Sequence, residues 1–178
     1  MIDLAALGAD CVSDAAYGME TLDLETLQDA ARDGAYSAAD NACIYYRDCM
    51  EIVSRYESAF GDDVEPTGAT FEAHQWQEAL AAYACGIAQN VISQDVENAL
   101  ERVKECADSL YEAAEELGCE DVGNPAVSDT CIHGWAVHER ELEDGTCIWQ
   151  PAQLEGCRAV AINAGAFWLS YTWTPSAV

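Results

Sequence analysis

Six carboxylates, Glu97, Glu101, Glu105, Asp108, Glu112 and Glu115, follow one another at steps of four, four, three, four and three residues. At 100° per residue they fall within about 80° of arc on a helical wheel, and at 1.5 Å of rise they stand roughly 4.5 to 6 Å apart along the axis. Val96, Leu100, Val103, Cys106, Ala107, Leu110, Ala114 and Leu117 occupy the opposite face. Only a helix separates these two sets, so an amphipathic helix is expected from Asp95 to Leu117, with Gly118 as its C′ residue.

A second row of acids lies upstream. A helical region is expected from Asp23 to Phe60, capped by Thr21 or Asp23 and bent or broken at Gly34. Leu24, Leu27, Ala31, Ala38, Ala42, Tyr45, Cys49, Ile52, Val53, Tyr56 and Phe60 share its apolar face. Glu25, Asp29, Asp33, Asp40 and Glu51 lie on the other side, with Arg47 the one base among them. A turn-rich connection, Gly61 to Gly68, then leads to a helix capped by Thr70 and running to Gln94. That helix is nearly uncharged after Glu78, and its apolar residues Trp76, Leu80, Tyr83, Ile87, Val91 and Ile92 spread around it, so it is expected to be the most buried element.

The texture changes after about Cys119, where glycine and proline punctuate short aromatic and β-branched runs. Trp135 to Leu142 and Thr146 to Trp149 flank Asp144-Gly145, a dipeptide favoured in tight hairpins. Arg158 to Ile162 and Phe167 to Trp173 surround Asn163-Ala164-Gly165 in a second hairpin, whose last strand alternates Phe167, Leu169, Tyr171 and Trp173 on one face. The expected fold is α+β: a three-helix amino-terminal body with a small antiparallel sheet of two hairpins. Residues 1–121 form its acidic helical region and 122–178 a Cys- and Trp-rich subdomain packed on the helices as one folding unit.

Charge limits the partners. The 178 residues hold 33 Asp and Glu against 7 Lys and Arg, a net charge of -26, and residues 1–121 carry 27 of the acids against 5 bases. Such a surface repels nucleic acid and anionic lipid and is drawn to a basic surface. At 51% hydrophobic residues the chain still has enough apolar area to fold. The 97–115 row lacks the Lys or Arg four residues after Glu that ordinarily stabilises an exposed helix, and like charges at that spacing are destabilising. Only Arg102 and Lys104 stand near the 97–115 row.

The signals for chemistry are poor. Cys131, His133, His138, Cys147 and Cys157 are zinc-type ligands, but no Cys-x2-Cys pair is present and the spacing is unfavourable. Cys131 or Cys147 beside His133 or His138, oriented by Asp129, has the residue types of a nucleophile pair, a coincidence that nine cysteines and three histidines make easy. His74 is isolated, and no phosphate-binding, dinucleotide or hydrolase motif occurs, so neither enzyme activity nor a cofactor is expected. Phe167, Trp168, Tyr171 and Trp173 could stack bases, but they lack the basic groove that single-strand binders use and read better as core, a homodimer contact or a protein hot spot. The start of the chain has neither a basic segment nor an unbroken apolar one, and the odd cysteine count fits reduced thiols, so the cytoplasm is the expected compartment.

In size, charge and helical acid rows, mainly over Asp23 to Asp121, the chain resembles the small acidic counter-defence proteins of phages and mobile elements, the antirestriction and anti-CRISPR inhibitors that act as DNA mimics. That resemblance implies a partner that is a basic nucleic-acid-binding protein or complex, such as a nuclease, a CRISPR effector or a restriction enzyme, and in a phage-encoded protein the host cytoplasm as the place of action. The other expectation for such a surface is a structural or assembly protein adapted to high salt, where dissolved cations screen the repulsion.

Overall fold

The computed structural model describes residues 2–60, 73–120, 122–129, 136–141, 143, 147–151, 156–165 and 167–175. Its elements are α1 (Leu4–Ala16), α2 (Leu24–Ala42), α3 (Tyr46–Phe60), α4 (Ala73–Glu116), β1 (Ala126–Ser128), β2 (Ala136–Glu141), β3 (Cys147–Pro151), β4 (Arg158–Asn163) and β5 (Trp168–Trp173). The fold is α+β with a small carboxy-terminal antiparallel sheet, and four helices are described rather than three.

The additional helix is α1. Asp3 caps it, its carboxylate accepting a hydrogen bond from the Ala6 amide at 3.4 Å. Leu4, Gly8, Cys11, Val12 and Ala16 recur at three- and four-residue steps and are buried.

The break in the first acidic region also moves. Asp23 caps α2 through the Thr26 amide at 3.2 Å and the Thr26 hydroxyl at 2.9 Å, and Leu27, Ala31, Ala35 and Ala39 bury one stripe. Gly34 lies inside this helix, where a Cβ would stand an ordinary 3.6 Å from the Cys11 side chain. The chain breaks instead after Ala42. The Cys43 amide turns back to the Asp40 carbonyl at 3.2 Å, and the Tyr45 carbonyl opens α3 by accepting from the Asp48 and Cys49 amides at 2.9 and 3.1 Å. Tyr45 therefore points to solvent, 68% exposed, rather than inward.

The two expected helices on either side of Gln94 are one, the 44-residue α4. No glycine or proline stands at this junction, so nothing in the backbone chemistry ends the helix there. Asp95 lies inside the helix rather than at the start of one, and burial pushes its carboxyl above the usual range. The amino-terminal half of α4 is not wrapped in core: Leu80, Ala84, Ile87, Ala88 and Ile92 are buried, while Gln75, Gln77, Glu78, Ala82, Gly86 and Asn90 are exposed. Thr70 lies outside the described residues.

The chain divides into two compact units, one of residues 1–11 and 29–97 and one of 12–28 and 98–178. In the first, Leu4 of α1, the alanine stripe of α2, Cys49 and Ile52 of α3, and Leu80 to Val96 of α4 supply the buried side chains. In the second, Val12, Leu27, Leu100, Val103 and Leu110 are buried, as are Ala159 to Ile162, Phe167 and Leu169 of the sheet.

The sheet order is β1-β5-β4-β3-β2, every neighbour pair antiparallel. Both expected hairpins, β2–β3 and β4–β5, are present, and β1 is a third, short contribution at one edge. β4 is central and its Ala159 to Ile162 are buried on both faces, which accounts for its unbroken apolar run. Gly165 closes the β4–β5 turn at φ 102°, its amide held by the Asn163 side chain at 2.7 Å. The Cys106 thiol donates to the Asn163 carbonyl at 3.7 Å, a direct link between α4 and β4. At the β1 edge the Leu22 amide donates to Pro125 O at 2.8 Å and the Val127 amide to Glu20 O at 3.1 Å, which ties the entry of α2 to β1.

Candidate functional site: the acid rows

α4 presents Glu97, Glu101, Glu105, Asp108, Glu112 and Glu115 on one side, and all six are exposed. Val96, Leu100, Val103, Leu110 and Ala114 are buried on the other, so packing of the apolar stripe is what aims the row outward. The helix stops cleanly after it. Gly118 takes φ 86°, the Cys119 amide bonds the Ala114 carbonyl at 2.9 Å, and the Gly118 amide bonds the Glu115 carbonyl at 3.0 Å, a Schellman closure.

Compensation is confined to one end. Glu97 takes two hydrogen bonds from the Arg32 guanidinium, and these hold its carboxyl below the usual carboxylate range. Among the described residues this is the one salt bridge. Glu101, Glu105, Asp108, Glu112 and Glu115 have no cationic partner among them, although Arg102 and Lys104 are exposed on the same helix. Glu115 accepts from the Tyr111 hydroxyl at 2.9 Å, a bond to the carboxylate that raises the phenol's pKa.

The upstream row is shorter than the sequence suggests. Glu25, Asp29, Asp33 and Asp40 are exposed along α2, but Glu51 stands half-buried on α3, beyond the break at Cys43 to Tyr45. Arg47 lies on α3 as well. Asp40 also accepts a hydrogen bond from the Cys85 thiol at 3.2 Å.

Within the second unit, members of both rows share one cleft of about 540 Å³. Glu25 of α2 and Asp108 of α4 line it together with Asp23, Tyr111 and Tyr171. The Thr26 hydrogen bonds hold the Asp23 carboxyl below its ordinary value, so it contributes a charge at neutral pH. The Tyr171 hydroxyl donates to the Gly123 carbonyl at 2.8 Å, and burial raises its pKa. The cleft is thus walled by carboxylates and phenol rings, a lining that favours a cation with apolar surface over any anion. No protein-family model, curated protein or solved structure matches the chain.

The metal and nucleophile candidates are not brought together in what is described. Cys131 and His133 lie outside the described residues, and of His138 on β2 and Cys147 on β3 the backbone alone is described: His138 pairs with Trp149, and Cys147 with Glu141 and Ala161. Cys157 lies 3.4 Å from the Thr174 hydroxyl, and Asp129 is exposed. Among the described residues no group of three or more His, Cys, Asp or Glu side chains is arranged to hold a metal ion. The thiols that do cluster, Cys43, Cys49 and Cys85, were not singled out from sequence, and burial is the chief cause that raises all three, Cys43 to about 12. They are protonated and poorly nucleophilic. In the aromatic run Phe167 is buried and Trp168, Tyr171 and Trp173 are partly so, which makes the run largely core. No helix among the described residues is long and apolar enough to cross a membrane.

Sequence reasoning missed two features. One is the tyrosine-walled cleft, whose members lie too far apart in sequence to be read as a set. The other is the exposed run Ile44-Tyr45-Tyr46, since an uninterrupted helical wheel through residues 43–45 turns Tyr45 inward.

Proposed function

We propose that this chain is a stoichiometric inhibitor that imitates a nucleic-acid backbone and occupies the basic groove of a nucleic-acid-binding enzyme, in the manner of antirestriction and anti-CRISPR counter-defence proteins. The observation that carries this reading is the run Glu101 to Glu115, five exposed carboxylates on one helix face at phosphate-like spacing with no ion pair among the described residues. Each surface charge contributes only about 0 to 1 kcal/mol. Together they steer a cationic partner that comes within about a Debye length, a reach that low salt extends, and give a fast, salt-sensitive association. Glu25 and Asp108, which line one cleft, offer such a partner carboxylates from both rows at once. The action is steric and electrostatic, and no covalent step is needed.

The test is capture of nucleic-acid-binding proteins from a bacterial lysate on immobilised protein, followed by elution with duplex DNA or RNA. A mimic releases its partner to nucleic acid, because both compete for one groove. The quadruple reversal of Glu101, Glu105, Asp108 and Glu112 to Lys is expected to abolish capture with an unchanged circular dichroism spectrum. Capture that survives the reversal, or that nucleic acid cannot displace, sinks the reading. A chain that folds at about 3 M potassium chloride and not at about 0.1 M would assign its acidity to salt adaptation instead.

A further inference from the structure

Five large side chains around the α2–α3 corner stand in solvent. Tyr36, Ile44, Tyr45, Tyr46 and Met50 are between 47% and 68% exposed. Single exposed apolar residues are ordinary, but five within fifteen positions mark an interaction surface. Ile44 to Tyr46 are consecutive, Met50 follows Tyr46 by one helical turn, and Tyr36 shares a side of α2 with Asp33 and Asp40. A chain break of this kind is usually made with glycine, asparagine or proline, and here it carries a cysteine, an isoleucine and a tyrosine, with a second tyrosine opening α3. Asp33, Asp40 and Asp48 are interleaved with the rings.

We infer that this corner docks an arginine-rich face of the partner, with guanidinium planes stacked on Tyr36, Tyr45 and Tyr46 and their N–H groups taken by the neighbouring aspartates. Charge complementarity decides the occupant. At net charge -26 the chain repels a second copy of itself and repels nucleic acid, which leaves a cationic protein surface. Arginine fits better than lysine, since its flat, weakly hydrated fork stacks on phenol rings while it donates sideways to carboxylates, and a lysine ammonium is a compact, strongly hydrated point charge. The same corner's helix already shows the contact in small: the Arg55 guanidinium stands over the Tyr56 ring, 5.3 Å from its centroid. The inference rests on the mimicry reading for the sign of the partner's charge and adds its residue type. It also divides the work, because the acid rows govern encounter and the desolvated aromatic corner governs residence.

The experiment compares fluorescein-labelled nona-arginine and nona-lysine peptides against the full chain by anisotropy in 0.15 M sodium chloride. The wild type is expected to bind nona-arginine about fivefold more tightly, the size of one or two exposed cation–π contacts. The Y36A/Y45A/Y46A variant is expected to bind both peptides with the affinity that the wild type shows for nona-lysine, and Y36F/Y45F/Y46F to keep the arginine preference. Equal peptide affinities in the wild type, or a preference that survives the alanine variant, overturns the proposal. So does sedimentation of a wild-type dimer that I44S/M50S dissociates, since the occupant is then a second copy. The E101K/E105K/D108K/E112K variant reads out the other claim separately: it is expected to weaken both peptides with their ratio kept, and unchanged affinities there count against mimicry and not against the corner.

Discussion

Arg32 on α2 holds Glu97 on α4 by two hydrogen bonds, Nε to Oε1 at 2.7 Å and Nη2 to Oε2 at 3.1 Å. This parallel-fork geometry is the strong form of an ion pair. Both side chains are about half exposed, at 48% and 49%, so solvent screens the pair. Glu97→Gln is expected to lower stability by about 0 to 1 kcal/mol at pH 7 in urea unfolding. The hydrogen bonds depress the folded pKa of Glu97, so its contribution is present above the unfolded carboxyl value and is lost as pH falls through the folded one. The difference between wild type and variant should shrink to nothing on acidification, and a penalty that grows instead would refute the assignment.

Two glycines give opposite expectations for the same substitution. A Cβ on Gly8 would stand 2.7 Å from the Asp95 Cβ and 3.0 Å from the Ile92 carbonyl, so α1 and α4 would have to separate. Gly8→Ala is expected to cost about 1 to 3 kcal/mol despite alanine's better helix propensity. Gly86, exposed in the same helix α4, would meet nothing within 4 Å, and Gly86→Ala is expected to stabilise by about 0.5 to 1 kcal/mol. Thermal unfolding of the two variants measures the contrast, and equal shifts would contradict the packing of α1 on α4 in the first unit.

Cys43 is expected to resist alkylation. With its pKa near 12, raised first by burial and then by Cys85, its thiolate fraction at pH 8 is on the order of a thousandfold below that of an ordinary cysteine. Iodoacetamide labelling read by peptide mass spectrometry should find Cys43 unmodified in the native protein and modified at the ordinary rate in urea. Native labelling at the unfolded rate would place the thiol in solvent.

How far the sequence could be read depended on whether a signal was local. The 97–115 row was legible because acid and apolar residues keep strict helical spacing there, and the Gly118 stop because glycine alone takes φ near +86° without cost. The β4–β5 hairpin was legible from Asn163 and Gly165 between apolar runs, and the β2–β3 pairing from its flanking runs, Asp144 and Gly145 lying outside the described residues. α1 was not, since its stripe of Leu4, Gly8, Cys11 and Val12 contains small residues that few hydrophobicity patterns separate from loop. Gly34 misled because a helix tolerates one glycine for about 1 kcal/mol when its neighbours pack. The true break at Cys43 to Tyr45 carries no glycine, proline or asparagine to mark it. Asp95 misled for the complementary reason: the first acid after a nearly uncharged run reads as the start of a new helix, and here it lies inside α4 beside Gly8.

α4 ends with Glu112, Glu115 and Glu116 in its final turns, and no base stands in its last turn to offset them. The aligned peptide units of a helix place roughly half a negative charge at this same end. Carboxylates and macrodipole therefore repel, and the Schellman closure satisfies the last carbonyls without relieving that repulsion. Cations brought to the row neutralise the carboxylates and the dipole together. The last turns of α4, anchored beneath by buried Leu110 and Ala114, are where this repulsion concentrates and where a basic partner relieves the most of it.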